Sequence, residues 1–138
     1  MPDTLVDTNV LLDVAEEDSH WSDWSGRKLA EAADEGALVI NPLIFAELAG
    51  GYDTIEAIYA VFRRDRYRHE DLPWDAAFAA GHVFLMYRQG GGKRSMPLPD
   101  FFIGAHASVR GYRLLTRDRG YYRNYFPRLD IVTPETSP

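Results

Sequence analysis

Short apolar segments alternate with longer amphipathic segments along the whole chain. The short segments are rich in Val, Ile and Leu, which is typical of strands that are buried on both faces of a sheet. Parallel strands need a crossover connection, and helical segments lie between successive strand-like segments. This alternation predicts an α/β fold with a parallel sheet that helices cover on both faces. The predicted strands are Thr4-Leu5-Val6, Leu38-Val39-Ile40, Arg113-Leu114-Leu115 and Ile131-Val132.

The helical segments carry recognisable start and stop signals. Asn41 and Pro42 fit the cap and first position of a helix, and Gly36 and Gly111 fit stops after the helices before them. Asp118 is expected to start a short aromatic helix before the last strand. The longer helices are predicted from His20 to Glu35, from Pro42 to near Gly50, from Asp53 to about Arg66, from Pro73 to Gln89, and from Pro97 or Pro99 to Gly111.

Length and composition set the outer limits. A chain of 138 residues is the size of one ordinary domain, so residues 1–138 are expected to form a single domain with one core. The chain has no cysteine, which excludes disulfides and thiolate metal sites. No apolar run approaches the roughly 20 residues needed to span a membrane, and the first residues do not resemble a signal peptide. A cytoplasmic protein is expected.

The charge of the chain is unevenly distributed. The net charge is −6, but residues 1–60 hold 2 basic and 13 acidic side chains, whereas residues 61–138 hold 13 basic and 8 acidic ones. The basic second half could contact the phosphates of a nucleic acid, whose attraction does not depend on sequence. Each basic cluster could equally be the solvated face of a helix.

Four acidic residues stand where an α/β fold would bring them together. Asp7 and Asp118 directly follow predicted strands, Asp100 lies in the first turn of a helix, and Glu47 lies in the early turns of another. A helix that connects parallel strands begins at the carboxyl edge of the sheet, which is also where ligands bind in such folds. All four carboxylates are therefore expected on one rim.

Each of these acids also has an ordinary structural explanation. Asp7 and Asp118 could be helix caps, Asp100 could complement a helix dipole, and Glu47 could be a solvated surface group. Four carboxylates close together require a compensating cation, because two carboxylates about 5 Å apart repel by roughly 3 kcal/mol at an effective dielectric near 20. Oxygen ligands favour Mg²⁺ or Mn²⁺, and the four histidines show no zinc-binding spacing.

Four segments of the chain resemble the acidic motifs of PIN-domain ribonucleases, in the order and at the size of that family. Within the family, the chain looks like the VapC toxins of bacterial toxin–antitoxin pairs, and the resemblance covers nearly the whole chain. The segments are Leu5-Val6-Asp7-Thr8-Asn9-Val10-Leu11-Leu12, Phe45-Ala46-Glu47-Leu48, Pro99-Asp100-Phe101-Phe102-Ile103-Gly104-Ala105 and Leu114-Leu115-Thr116-Arg117-Asp118.

The resemblance implies a three-layer α/β/α sandwich with a central parallel sheet of four to five short strands. It also implies an endoribonuclease that depends on Mg²⁺ or Mn²⁺, forms a homodimer and is held inactive by a cognate antitoxin. The acidic ligands it implies are Asp7, Glu47, Asp100 and Asp118. Where some relatives carry a further acid, this chain has Tyr121.

The mechanism expected on this basis uses Asp7 and Asp100 as direct ligands of the primary metal ion. Asp118 and Glu47 would bind through water or hold a second ion, and either could accept the proton of the nucleophile. Neighbours expected to hold the site by hydrogen bonds are Asn9 and Thr116. Candidates for contacting the RNA backbone are Lys93, Arg94, Arg117 and Arg119. Candidates for the dimer face are the aromatic and apolar helices near Ile55, Tyr59 and Phe62 and near Phe84 and Tyr87.

Two other functions remain open from the sequence. A phosphatase of the haloacid dehalogenase type also begins with a strand that ends in aspartate, but it requires a second aspartate where this chain has Asn9. The acidic rim could instead bind an arginine of a partner protein without cutting anything, since a guanidinium pairs well with carboxylates. Metal-dependent cleavage of RNA distinguishes the ribonuclease from both.

Overall fold

A single parallel sheet forms the centre of the protein. The structure, a computed structural model, describes residues 2–16, 20–91, 98–118 and 121–138. The strands β1 to β5 are Thr4–Val6, Leu38–Ile40, Tyr67–His69, Arg113–Leu115 and Ile131–Val132. They pair in the order β3-β2-β1-β4-β5, and every pairing is parallel. The α/β fold and the four strands expected from the sequence are confirmed.

Helices connect the strands on both faces of the sheet. The chain runs from β1 through β2 to β3 in one direction and then from β4 to β5 in the other, so right-handed crossovers put the two sets of connecting helices on opposite faces. No helix of the described part of the chain is long and apolar enough to cross a membrane. The helices α1 to α7 are Thr8–Glu16, Ser22–Glu35, Pro42–Ala49, Ile55–Val61, Trp74–Gln89, Leu98–Arg110 and Tyr121–Tyr125.

The core lies on both faces of the central strand β1. Leu5 and Val6 are fully buried, and so are Leu11 of α1 and Ile103 of α6. Burying a side chain of this size contributes about 1.5–3 kcal/mol relative to leaving it exposed. The strands are only two or three residues long, so packing by helices on each face must hold them in place.

The start of α3 was predicted correctly because its capping signals are local. The side chain of Asn41 accepts a hydrogen bond of 2.9 Å from the backbone nitrogen of Ile44, and Pro42 occupies the first turn. Such a cap contributes about 1 kcal/mol. It fixes where the chain leaves β2 and enters α3, the helix that carries Glu47.

The helix predicted from Asp53 to about Arg66 is wrong in its bounds. The helix α4 is only Ile55–Val61, and the chain then forms β3, which the sequence analysis missed. Thr54 caps α4 by accepting a hydrogen bond of 3.1 Å from the backbone nitrogen of Ala57. β3 lies at the edge of the sheet, where charged residues such as Arg68 are common, so it lacks the apolar signature of a buried strand.

Two further expectations need correction or lie outside the described residues. Asp118 does not start α7, which begins at Tyr121, three residues later. The candidates Lys93, Arg94 and Arg119 belong to the parts of the chain that the structure does not describe.

We expect the substitution Gly104→Ala in α6 to destabilise the protein by about 1–3 kcal/mol, which is typical of an overpacked core. A Cβ atom at Gly104 would overlap the ring of Phe126, which is itself nearly buried. Urea unfolding followed by circular dichroism measures the effect. Gly81→Ala in α5 is the control: a Cβ there meets no atom within 4 Å, so a gain of roughly 0.5–1 kcal/mol is expected. Equal stability of Gly104→Ala and wild type would contradict this packing.

Candidate active site at the carboxyl edge of the sheet

The order of the strands reverses between β1 and β4, and this reversal opens a crevice at their carboxyl ends. The chain leaves β1 toward β2 on one side, whereas β4 pairs on the other side. Ligands in open α/β sheets bind at such a switch point. Asp7 follows β1 directly, and its backbone nitrogen donates a hydrogen bond of 2.9 Å to the carbonyl of Leu115 at the end of β4. Asp7 therefore lies at the crevice.

The carboxylate of Asp7 is buried and held by three donors. It is only 4% exposed. The backbone nitrogen of Thr8 donates to Oδ1 at 2.8 Å, and the hydroxyl groups of Thr116 and Tyr122 donate to Oδ2 at 2.8 and 3.3 Å. A buried carboxylate needs such partners, because an unpaired charge in the interior is very costly. The three donors also fix the orientation of the side chain.

Thr116 connects Asp7 to its neighbours. Its hydroxyl group donates to Asp7 and accepts from the side-chain amide of Asn9 at 3.4 Å and from the backbone nitrogen of Asp118 at 3.0 Å. The carbonyl oxygen of the Asn9 side chain accepts a hydrogen bond of 3.1 Å from the backbone nitrogen of Arg117. Asn9 and Thr116 thus lie beside Asp7, where the sequence analysis expected supporting residues.

Glu47 joins the same group of side chains through Thr8. The hydroxyl group of Thr8 donates a hydrogen bond of 2.7 Å to Oε1 of Glu47, while its backbone nitrogen binds Asp7. Glu47 lies on α3 with its side chain at the surface. Thr8 was missed as a site residue, although its position directly after Asp7 could have indicated it.

The charges of the other three acids act on Asp100. Burial is the main cause that raises the pKa of Asp100 to about 7, and the negative charges of Asp7, Asp118 and Glu47 raise it further. Asp100 lies in the first turn of α6, where it is partly buried. The four acids that the sequence singled out therefore lie within range of one another's charge.

Asp7 and Asp118 are also shifted toward protonation. Burial raises the pKa of Asp7 to about 6 against its hydrogen bonds from Thr116 and Thr8, and the charges of Asp118 and Glu47 add to the rise. Burial likewise raises the pKa of Asp118, while the nearby guanidinium of Arg117 lowers it. Crowded carboxylates with raised pKa values are common at functional sites.

Tyr122 is a member of the site that sequence reasoning did not find. It is almost fully buried, and burial together with the charges of Asp7, Asp100 and Asp118 holds its pKa well above the usual value. It therefore remains protonated and donates to Asp7. Its place in an aromatic helix resembles that of any core tyrosine, so the sequence offered no signal.

Arg117 is engaged within the protein. Its guanidinium makes two hydrogen bonds, of 2.6 and 3.1 Å, to the carboxylate of Asp13, and it lies over the ring of Trp21 at 5.7 Å. Asp13 is buried and also accepts a hydrogen bond of 2.6 Å from the hydroxyl group of Ser25. Arg117 thus ties the loop after β4 to the helices α1 and α2.

The donor atoms of this site suit a hard divalent cation. Within residues 2–16, 20–91, 98–118 and 121–138, no three side chains of Asp, Glu, His or Cys converge as a ready-made ligand group. Mg²⁺ does not require one, since it usually keeps several waters and binds one or two carboxylates directly. Carboxylate oxygens can accept more than one partner, so Asp7 retains capacity beyond its hydrogen bonds. The chemistry of these residues therefore fits an ion that keeps much of its water shell.

Comparison with known families identifies the class of protein. Residues 4–127 match the PIN domain, so the chain belongs to the PIN domain family, as the motifs predicted. PIN domains are generally nucleases. This membership disagrees with the haloacid dehalogenase alternative.

Solved structures with the same fold come from bacterial VapBC systems. VapBC2 from Rickettsia felis, bound to a DNA fragment from its promoter, gives a TM-score of 0.73 at 18% identity and covers 95% of this chain and 98% of that one. VapC20 from Mycobacterium tuberculosis, a sarcin–ricin loop cleaving toxin, gives 0.69 at 15%, covering 95% and 99%. VapBC-5 from the same organism, of the VapBC family of toxin–antitoxin systems, gives 0.61 at 17%, covering 96% and 98%. Among curated proteins, no sequence matches this chain.

The raised pKa values predict that stability falls with rising pH when no divalent cation is present. Because Asp7 and Asp100 titrate near 6 and 7 instead of 3.8, the folded protein binds more protons than the unfolded chain between about pH 4 and 7. Unfolding free energy should therefore decrease across this window. We expect Asp100→Asn to be more stable than wild type at pH 8 in EDTA by about 1 kcal/mol, since this carboxylate is partly solvated.

Urea unfolding at pH 4.5 and pH 8 measures this difference. Asp65→Asn is the control, because Asp65 lies on the surface and pairs with Arg63 away from the site. If Asp100→Asn loses stability with pH as steeply as wild type, the carboxylates do not repel one another as described.

Proposed function

We propose that this protein is an endoribonuclease that depends on Mg²⁺ or Mn²⁺ and acts as the toxin of a toxin–antitoxin pair. The observation that carries the proposal is the group of carboxylates at the switch point, of which Asp7, Asp100 and Asp118 have raised pKa values. Such a group is stabilised by a bound cation. Membership of the PIN domain family supports nuclease activity.

In this mechanism Asp7 and Asp100 would hold the ion directly, and Asp118 and Glu47 would act through water or hold a second ion. When bound, such an ion would supply positive charge to polarise the scissile phosphate and to lower the pKa of a water molecule. Two direct carboxylate ligands agree with the preference of Mg²⁺, which usually binds one or two carboxylates and keeps several waters.

The other residues of the site orient these acids. Thr116, Tyr122 and the backbone of Thr8 hold the carboxylate of Asp7 in one orientation. Asp118, whose pKa burial raises, or Glu47 would accept the proton of the attacking water. A carboxylate with a pKa nearer neutrality is a better proton acceptor at cellular pH than an ordinary one.

Two observations support RNA as the substrate. VapC20, which shares the fold, is a toxin that cleaves the sarcin–ricin loop. The basic second half of the chain also supplies arginines and one lysine for phosphate contacts, and Lys93, Arg94 and Arg119 are proposed among them. Arg117 is proposed as a further contact, although its pairing with Asp13 gives it first a structural role.

A cognate antitoxin is the proposed protein partner. Relatives with this fold belong to VapBC toxin–antitoxin systems. An arginine of the antitoxin would pair with the acidic rim and so compete with the metal ion. The lack of a ready group of three ligands in the described residues also suits a second candidate, in which the rim only binds a partner and cuts nothing.

We expect the purified protein to cleave a mixed RNA pool in Mg²⁺ or Mn²⁺ and to lose this activity in EDTA. Asp100→Asn should reduce cleavage at least 100-fold, because it removes a direct ligand, while circular dichroism shows an intact fold. Asp65→Asn, which changes a surface acid that pairs with Arg63, should cleave as wild type does.

The outcomes separate the two candidates. Full activity of Asp100→Asn would refute the ligand assignment. Absence of cleavage by wild type in both metals would favour the binding module, because RNA cleavage is the property that it lacks.

A homodimer through α5 is also proposed. One side of α5 exposes large apolar side chains, and exposed apolar patches often mark protein interfaces. Trp74 is 91% exposed and Phe78 is 71% exposed, and Leu85 and Met86 continue the same surface along the helix. Of the two helices named in the sequence analysis, α5 carries this exposed surface, while Phe84 and Tyr87 themselves pack against Phe101 of α6. Near the other helix, Ile55 is 52% exposed and Phe62 is buried.

We expect Phe78→Glu to produce a monomer, because a charge would be buried at the centre of the α5 surface. Analytical ultracentrifugation of wild type and variant measures the change. Ile55→Glu on α4, which is 52% exposed in wild type, is the matched control and should remain dimeric. A monomer for Ile55→Glu together with a dimer for Phe78→Glu would move the interface to α4.

A further inference from the structure

A cavity of about 460 Å³ opens beside the acidic site, and no step of the proposed cleavage uses it. Cavities of this size commonly hold small ligands. It lies between the first turns of α3, the end of α4 and the segment that follows β3. The residues that matter for its chemistry are Asn41, Phe45, Tyr59, Arg64, His69 and Asp71.

The cavity lies at the same edge of the sheet as the four acids. Asn41 follows β2 just as Asp7 follows β1, and the two strands pair in parallel with Leu5 opposite Val39. Neighbouring strands are about 4.8 Å apart, so the wall of the cavity begins one strand away from Asp7. A polymer bound across this edge would reach both places.

Three aromatic rings line the cavity. The rings of Tyr59 and His69 stack with their centroids 5.7 Å apart and an angle of 28° between the planes. Phe45 adds a third ring, 5.5 Å from Tyr59. The guanidinium of Arg64 lies 5.1 Å from the centroid of the Tyr59 ring. Aromatic faces with a nearby arginine are the usual platform for an unpaired nucleobase.

A carboxylate, that of Asp71, also lines the cavity. Asp71 is exposed, and no residue in the described part of the chain makes a hydrogen bond or ion pair with it. Glu70 next to it is fixed in place, since it accepts hydrogen bonds from His106 at 2.5 Å and from Tyr112 at 2.6 Å. Asp71 is therefore the acceptor that a ligand in the cavity would meet.

Asn41 also lines the cavity, and hydrogen bonds inside the protein hold its side chain in place. Its side-chain oxygen accepts from the backbone of Ile44, so its amide nitrogen donates to Nδ1 of the buried His106, 3.0 Å away. These contacts make the cavity wall rigid, because both functions of the amide are used inside the protein.

We propose that this cavity binds a guanine base of the RNA, in a nucleotide that neighbours the cleaved bond. The base packs against the aromatic rings that line the cavity, and its Watson–Crick edge donates two adjacent N–H groups to Asp71. Guanine is the RNA base that offers two such donors side by side, whereas the other bases offer one. The assignment of the ligand to RNA rests on the proposed function.

Arg64 supplies the positive charge that the phosphate of a nucleotide would pair with, while Asp71 supplies the acceptor for the base. The aromatic rings that line the cavity also offer a planar base a better packing surface than they offer an aliphatic side chain.

Titration with the four mononucleotides GMP, AMP, CMP and UMP in EDTA tests the proposal, with binding followed by NMR chemical shifts. We expect GMP to bind most tightly and to shift residues around Tyr59 and Asp71. Tyr59→Ala should weaken GMP binding about tenfold or more, and Tyr59→Phe should retain it, because stacking needs only the ring. Asp71→Asn should bring GMP down to the affinity of AMP. The surface variant Asp65→Asn is the control and should bind as wild type does.

Several results would overturn the proposal: no response to any mononucleotide, equal binding of UMP and GMP, or unchanged GMP binding by Tyr59→Ala. A response of the same residues to an arginine-containing peptide, but not to GMP, would instead make the cavity a protein-docking site. The assay contains no divalent cation and requires no cleavage. Tight GMP binding with no RNA cleavage would therefore refute the nuclease activity and support the guanine site. RNA cleavage without GMP binding would support the nuclease activity and refute the guanine site.

Discussion

The burial of one negative charge, on Asp7, organises this end of the molecule. A carboxylate that is removed from water must be satisfied by hydrogen bonds, and here the donors come from the start of α1, the end of β4 and α7. These contacts draw elements that are far apart in sequence to the reversal point between β1 and β4. The same burial strengthens the repulsion between Asp7 and its acidic neighbours, so the constraint that shapes the site also prepares it for a cation.

Two buried polar clusters frame the acidic site on either side. On one side, Asp13 joins Ser25 to Arg117 and so anchors the loop after β4. On the other, His106 joins Asn41 to Glu70, and it connects α6 with the ends of β2 and β3. The acids thus lie between two hydrogen-bonded networks that hold the surrounding backbone. Among the basic residues that the structure describes, Arg117 is the one that lowers the pKa of an acid of the site, Asp118.

The sequence could predict the elements whose signals are local. Buried strands such as Leu38–Ile40 and the cap at Asn41 were found because apolar runs and capping pairs can be recognised without knowing the fold. Topology then placed the four acids on one rim. β3 could not be found, since an edge strand with charged residues resembles a loop, and Tyr122 could not be assigned because its role depends on a neighbour 115 residues away.

The amide of Asn41 sets the direction of a longer hydrogen-bond chain. Because its oxygen is occupied by the α3 backbone, its nitrogen must act as donor, which leaves Nδ1 of His106 as an acceptor and puts the imidazole proton on Nε2. From the far end, Arg68 donates to Tyr112, which donates to Glu70. Both branches end on this glutamate. The side chain that caps α3 therefore selects the tautomer of His106, and Glu70 accepts the last hydrogen bond of each branch.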